Sequence, residues 1–194
     1  MREKIIKDLK KNLSPEGVSH VLRVEKQIRV YAKLYHVNEE KSCISALFHD
    51  FCKGNEKKYQ ERYHDIITEY VERYDGEEVF KNMKIIHGLY GAIVAEQEYG
   101  ITDDGVLHAI IFHSTACKDF SNLGKILYLA DKLEPNRKYP DVDQLRSFAK
   151  KDLDLGFAHT LNHSIEYLIK QRECISIDTM RCRNQLIQEG KFGK

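Results

Sequence analysis

Proline is scarce in this 194-residue sequence, with three in all, and no stretch alternates apolar and polar residues at a period of two between turn residues. The missing alternation argues against strands and hairpins, and so little proline leaves helical stretches unbroken. No run of 18 apolar residues occurs, so no helical membrane span is expected. An excess of one charge is absent too, because 31 Lys+Arg against 30 Asp+Glu leave a formal net charge of +1. That balance gives no electrostatic case for DNA, RNA or an anionic membrane, and any phosphate binding must be local. Five cysteines, Cys43, Cys52, Cys117, Cys174 and Cys182, are odd in number and never form a C-x-x-C pair. This argues against a zinc ribbon or a disulfide framework and suits reduced thiols in the cytoplasm. Internal repeats and low-complexity linkers are lacking, and the lysines between positions 7 and 11 read as a solvated helix face.

What is present is helical periodicity, and the chain reads as all-α in one domain, residues 1–194. The start, MREKIIKDLKKNL, reads as an amphipathic helix and not as a signal peptide. Ser14 and Pro15 supply a cap and a first-turn proline for a second helix, in which His20 borders the buried stripe of Val21, Val24, Ile28 and Tyr31. Asn38 caps a third helix that carries Cys43, Ile44, Ala46, Leu47, Phe48 and Phe51 and is expected to stop at Gly54. Residues 55–75 read as one amphipathic helix whose tyrosine-rich stripe, Tyr59, Tyr63, Tyr70 and Tyr74, faces the core. His87 falls at a helix start, with Gly88, Gly91, Ala92 and Ala95 permitting close packing against a neighbour. Asp103 and its neighbours cap a helix that ends at His113. A loop over 115–120 precedes a helix with Leu123, Ile126, Leu127, Ala130 and Asp131, which Pro135 ends. Helical spacing then runs from Asp141 to about Gln171, and a short helix through Leu186 and Ile187 closes the chain.

The pair His49-Asp50 stands at the end of an apolar helix, where a buried imidazole and carboxylate are costly unless something pairs with them. A metal ion is such a partner. With His20, His87, His113 and Asp131 the chain reads H-x28-H-D-x36-H-x25-H-x17-D, too wide for a local motif but suited to a helical bundle that projects side chains into one pocket. Imidazole and carboxylate without thiolate suit iron, manganese, cobalt or zinc rather than calcium. A bridging carboxylate would suit two ions about 3.5–4 Å apart, as in phosphoryl hydrolysis. Each residue also has a plainer reading: His20, His87 and His113 as hydrogen-bonded core histidines, and Asp131 as a salt-bridge partner of Lys125 or Lys132. His108 lies roughly 140° round its helix from His113, so the two cannot face one pocket. His36 and His64 sit in polar surroundings, and His159 and His163 read as solvated surface histidines.

The order of His20, His49-Asp50 and Asp131 is similar to the H…HD…D pattern of HD-domain phosphohydrolases, with His87 and His113 matching a two-metal branch. The strings ALFHDFCK, IIHGLYGA, AIIFHST and KILYLADKLEPNRKYPDVDQLR, with the closing DTMRCRN, resemble the bacterial YqeK family of symmetrical diadenosine tetraphosphate hydrolases. The chain departs from that family in reading His113-Ser114-Thr115-Ala116 where H-T-x-G is usual. The resemblance implies a single-domain helical bundle of the HD type, with a ligand core over about 18–135 and C-terminal helices over about 141–190. It implies two divalent ions, iron first, one held by His20, His49, Asp50 and Asp131 and the other by Asp50, His87 and His113. It gives His49, Asp50 and Lys53 the catalytic roles. It also implies substrate contacts from Lys53, Gly54, Asn55, Glu56, His113, Ser114, Asp131, Arg137, Thr179 and Arg183. The expected partner is a dinucleoside polyphosphate, Ap4A first, with ADP as product. Two rivals stay open: a general HD phosphatase working with one ion, and a nucleotide-binding or interaction module without catalysis. A homodimer is allowed.

Overall fold

Helix boundaries follow the side chains that can cap them. In the computed structural model, which describes residues 1–193, the Gly17 amide donates to Ser14 Oγ at 3.2 Å and Pro15 takes the first helical position. This separates α1 (Arg2–Asn12) from α2 (Pro15–Leu34). Asn38 accepts from the Lys41 amide at 3.0 Å and opens α3 (Glu39–Phe48). There follow α4 (Glu56–Tyr63), α5 (Ile67–Tyr74), the single turn α6 (Glu77–Phe80) and α7 (His87–Tyr99). Asp103 caps α8 (Asp104–Phe112) and Ser121 caps α9 (Asn122–Leu133). The chain ends with α10 (Val142–Lys151), α11 (Leu153–Gln171) and α12 (Ile177–Gln188). The described residues contain no strand, so the all-α class is the one observed.

Three boundaries differ from the sequence expectation. α3 ends at Phe48 and not at Gly54. The Ala46 carbonyl, which would accept the Asp50 amide in a continuing helix, takes His49 Nδ1 at 2.7 Å instead. The chain then proceeds in tighter i→i−3 turns, Phe51 N to Phe48 O at 3.2 Å and Lys53 N to Asp50 O at 3.1 Å. The segment 55–75 is two helices, bent at residues 64–66 so that the tyrosine stripe follows α7. Tyr59 stacks on Tyr90 near the start of α7, while Tyr63 and Tyr70 bond to Glu98 and Glu96 near its end. The segment 141–171 is also two helices, because Asp152 adopts extended dihedrals and caps the second through Leu155 N at 2.8 Å. α10 and α11 then pack back to back, and a Cβ on Gly156 would lie 2.4 Å from the Ala149 Cα.

At the centre, α2 packs on α3 and α9, and α8 packs on α3, α7 and α9. α11 covers α9 where Tyr128 of α9 and Phe157 of α11 meet edge to face, ring centroids 5.4 Å apart. The buried apolar residues form one continuous cluster from Ile5 to Leu186. α1 joins it through Ile5 and Leu9 and through the buried Glu25, which accepts from Arg2 Nε at 2.7 Å and Arg29 Nη2 at 2.9 Å. Burial pushes the Glu25 carboxyl up, but the two guanidinium groups outweigh it and hold the carboxyl below its ordinary 4.5. A depressed carboxylate stabilises the fold fully above its unfolded pKa, and that contribution is lost as pH falls from about 4.5 toward the lower folded value. Glu25→Gln is therefore expected to cost on the order of 1 kcal/mol at pH 7, after allowance for half-exposed partners, and to flatten the acid limb. Urea midpoints measured between pH 7 and 3 check both effects; an acid limb as steep as the parent's would rule the assignment out.

Candidate metal centre

Five helices deliver the six residues to one place. His20 projects from the middle of α2, His49 closes α3 with Asp50 just after it, and His87 opens α7. His113 closes α8 and Asp131 lies in the last turns of α9. His49, Asp50, His87, His113 and Asp131 are all at most 4% exposed. Close helix packing makes this convergence possible. A Cβ on Gly91 would lie 2.5 Å from the Phe48 carbonyl oxygen, and one on Gly88 would lie 2.7 Å from the Ile111 carbonyl oxygen.

Asp50 stands between two sets of imidazoles. Its Oδ1 lies 3.2 Å from His87 Nε2 and 3.6 Å from His113 Nε2, while its Oδ2 lies 3.6 Å from His49 Nε2 and 3.8 Å from His20 Nε2. The same His20 Nε2 is 3.0 Å from Asp131 Oδ1. His87 and His113 bring their Nε2 atoms to 3.3 Å. Among the described residues, His20–His49–Asp50 and Asp50–His87–His113 form two groups able to hold an ion, with Asp50 in both. Donors about 2.1 Å from one ion lie roughly 3.0–3.5 Å from each other, close to these separations.

The residues fit a divalent ion on further grounds. Nε2 of His49 and Oδ1 of Asp50 are buried without a hydrogen-bond partner, which is costly unless another electrophile meets them. Two histidines are fixed in the tautomer that leaves Nε2 bare. His49 Nδ1 donates to the Ala46 carbonyl at 2.7 Å, and His113 Nδ1 donates to the Ile110 carbonyl at 2.8 Å. Burial pushes His49 down to about 3 and also lowers His113, so both rings stay neutral and able to ligate. Burial pushes the Asp50 carboxyl up, but the His49, His113, His87 and Lys53 side chains outweigh it and keep it well below the usual range. For Asp131, burial is likewise outweighed, by Lys132, His20 and His49.

Cations rim this cluster. Lys53 Nζ meets Asp50 Oδ2 at 2.8 Å, Arg137 Nη2 meets Asp131 Oδ1 at 2.8 Å, and Lys132 Nζ meets Asp131 Oδ2 at 2.9 Å. Of the two lysines weighed as partners for Asp131, Lys132 takes that place and Lys125 pairs with Asp154 at 2.7 Å. Ser114 Oγ lies 3.0 Å from His113 Nε2. The Gly54 amide donates to Glu56 Oε1 at 2.8 Å, while Asn55 turns to the Asn12 carbonyl of α1 at 2.7 Å. Thr179 is buried and donates to the Thr115 carbonyl at 2.8 Å, and Arg183 Nε donates to Asn162 Oδ1 at 2.9 Å. These last two tie α12 to its neighbours and lie outside the cluster of six.

One residue of the site went unrecognised in the sequence. Glu134, 2% exposed, places Oε1 3.3 Å from His20 Nδ1, and its Oε2 accepts from Arg23 Nε at 2.9 Å and the Asn136 amide at 2.8 Å. Its signal lies in LADKLEPNR, where an acidic residue before proline ends an otherwise apolar helix. The expectation for His159 and His163 is corrected: neither is simply solvated. His159 stacks on Phe148 at 4.4 Å and His163 on Tyr139 at 4.8 Å, because aromatic rings on adjoining elements cover them. His108 packs between Phe112 and Tyr74, on the other side of α8 from His113.

Comparison with known proteins follows the same geometry. The HD domain profile matches residues 17–136, the stretch from the start of α2 to just beyond α9. The chain is 34% identical to the Halalkalibacterium halodurans symmetrical bis(5'-nucleosyl)-tetraphosphatase over 190 residues, covering 98% of this chain and 99% of that one. It is 28% identical to the Bacillus subtilis protein of the same name, over 96% and 97% of the two chains. A crystal structure from Clostridium acetobutylicum, of a predicted HD superfamily hydrolase described as involved in NAD metabolism, superposes with a TM-score of 0.84 at 33% identity. That superposition covers 97% of this chain and 98% of the other.

Proposed function

The chain belongs to the HD-domain family, and from that premise we propose that it is a metal-dependent hydrolase that cleaves diadenosine tetraphosphate and related Np4N nucleotides symmetrically, Ap4A giving two ADP. The observation that carries the reading is the Asp50 carboxylate, with one oxygen facing His87 and His113 and the other facing His20 and His49. Full-length similarity to two proteins named for this activity supports the substrate.

In this reading His20, His49, Asp50 and Asp131 would hold one divalent ion and Asp50, His87 and His113 would hold a second. Iron is the ion proposed, with manganese, cobalt and zinc compatible with the same donors. When bound, the ions supply Lewis acidity and lower the pKa of water. Water oxygen joins one of the two inner phosphorus atoms as the bond from that phosphorus to the central bridging oxygen breaks. Each half leaves as ADP, and with both new terminal phosphates fully ionised the two protons of the water are released. The side chains His49 and Asp50 orient the reacting centre, and Lys53 takes up charge on the phosphoryl oxygens. Lys132 and Arg137, held beside Asp131, add positive charge along the tetraphosphate chain. Gly54, Asn55, Glu56, Ser114, Thr179 and Arg183 are the further residues proposed to contact the nucleotide. The whole chain, residues 1–194, acts as one domain. The cytoplasm is the proposed compartment, where the five free cysteines stay reduced.

Product analysis tests this directly. Protein reconstituted with Fe2+ under anaerobic conditions is incubated with Ap4A and the products are separated by anion exchange. ADP as the sole nucleotide product is expected; ATP with AMP, or no turnover by protein of measured metal content, overturns the symmetrical assignment.

A further inference from the structure

Pro135 disfavours helical dihedrals at the residue before it, and Glu134 adopts φ −53°, ψ 153°. α9 therefore stops, and three side chains take the carbonyls its end leaves open: Arg137 Nε donates to Asp131 O at 3.0 Å, the Tyr139 hydroxyl to Lys132 O at 2.9 Å, and Arg146 to the last two. Arg146 donates to Leu133 O at 3.0 Å, Glu134 O at 2.8 Å and Arg137 O at 3.1 Å. The turn carries the Glu134 side chain back against α2. There the carboxylate has no access to water, and its cost is met by Arg23 and the Asn136 amide on Oε2. Its other oxygen faces His20 Nδ1.

Three of the four histidines of the centre have a partner on Nδ1, whereas Nδ1 of His87 is buried without one. A ligating ring needs its second nitrogen anchored if the first is to be bare and correctly aimed. His49 and His113 stand at helix C-termini, where carbonyls of their own helix are free, and each ring uses the carbonyl three residues back. His20 lies in the interior of α2, where every nearby carbonyl is engaged by the helix ladder. Only a side chain from another element can anchor it. The imidazole is accordingly held at both ends by carboxylates, Glu134 on Nδ1 and Asp131 on Nε2.

We propose that Glu134 is the positioning residue for His20, fixing the ring with its proton on Nδ1 and its bare Nε2 toward Asp50 and Asp131, and so sets the affinity of the His20 half of the centre alone. The inference rests on the metal-binding reading given above. It separates Glu134 from a purely structural ion pair with Arg23, because a structural pair has no reason to act on one half only.

The test is titration of metal-free protein with Mn2+, followed by calorimetry and by the electron paramagnetic resonance of free Mn2+. In Glu134→Ala one of the two binding steps is expected to weaken by about 10–100-fold, the usual effect of losing a partner behind a ligating histidine, with the other step unchanged. In a His20→Ala background the same substitution is expected to change nothing further. Arg23→Met removes the ion pair but leaves Glu134 facing His20, so it is expected to lower thermal stability and leave Mn2+ affinity within about threefold. If Glu134→Ala fails to fold, Glu134→Leu takes its place, with the same selective loss expected because a side chain of similar volume without an acceptor leaves His20 Nδ1 unanchored. Parent-like affinity in the Glu134 variants, equal weakening of both steps, or a further loss in the His20→Ala background overturns the inference. A parent that binds one Mn2+ disproves the two-ion reading while that step still decides the role of Glu134; a parent that binds none disproves the metal reading itself, and the inference with it.

Discussion

Asp50→Ala is expected to strip the protein of bound metal and to lower Ap4A hydrolysis by well over 100-fold while leaving a helical fold. Losing a partner behind a metal ligand typically costs 10–100-fold. Losing a carboxylate that faces both groups of imidazoles must cost more, since Asp50 is the one residue common to the two. The substitution also leaves His20, His49, His87 and His113 with no anion between them and Lys53 without its partner at 2.8 Å. Asp50→Asn separates shape from charge, because it keeps the volume and loses the negative charge. Both variants are checked by metal analysis of desalted protein after Fe2+ or Mn2+ loading, by ADP formation, and by far-ultraviolet circular dichroism. A helical Asp50→Ala protein with the parent's metal content would sink the central assignment.

Gly91→Ala is expected to damage the fold and the site together. The added methyl would lie 2.5 Å from the Phe48 carbonyl oxygen and 3.3 Å from Ile110 Cγ2, and a backbone atom cannot rotate away as a side chain can. α7 must move off α3, or α3 must bend. Overpacking of this kind costs about 1–3 kcal/mol, which for a chain of this size lowers Tm by roughly 2–12 °C. The same displacement acts on function, since α3 ends in His49 and Asp50 and α7 begins with His87. Metal affinity is therefore expected to fall along with Tm. Gly76→Ala is the matched control, because its Cβ would meet nothing nearer than 3.8 Å. Calorimetric scans of the two variants, with and without metal, check the contrast; equal Tm values would mean that the α3–α7 contact gives way at no cost.

Much of this was legible in the chain itself, for reasons that are local. Ser14, Asn38 and Asp103 announce helix starts because a side-chain oxygen three residues ahead of an amide needs no tertiary partner to cap it. Gly88 and Gly91 announce close packing because a residue without a Cβ lets a neighbouring backbone approach to within about 3 Å of where that atom would be. The six residues of the centre were legible through their chemistry and through their resemblance to a known pattern. The breaks at 64–66 and at Asp152 were not, because apolar spacing continues across them and the bend is set by α7 and by the α10–α11 contact. The early end of α3 was hidden for a related reason: a histidine ring outcompetes the next amide for the Ala46 carbonyl.

By itself the sequence determined the all-α class and most helix starts, since periodicity and capping are properties of short segments, and it named six candidate ligands through their chemistry and a resemblance. The tertiary structure alone decided that one Asp50 oxygen faces His87 and His113 while the other faces His20 and His49. It alone decided that Glu134 reaches His20 across 114 residues of chain. Both are matters of direction between helices, and direction is fixed by packing at distances of about 3 Å that no one-dimensional pattern encodes.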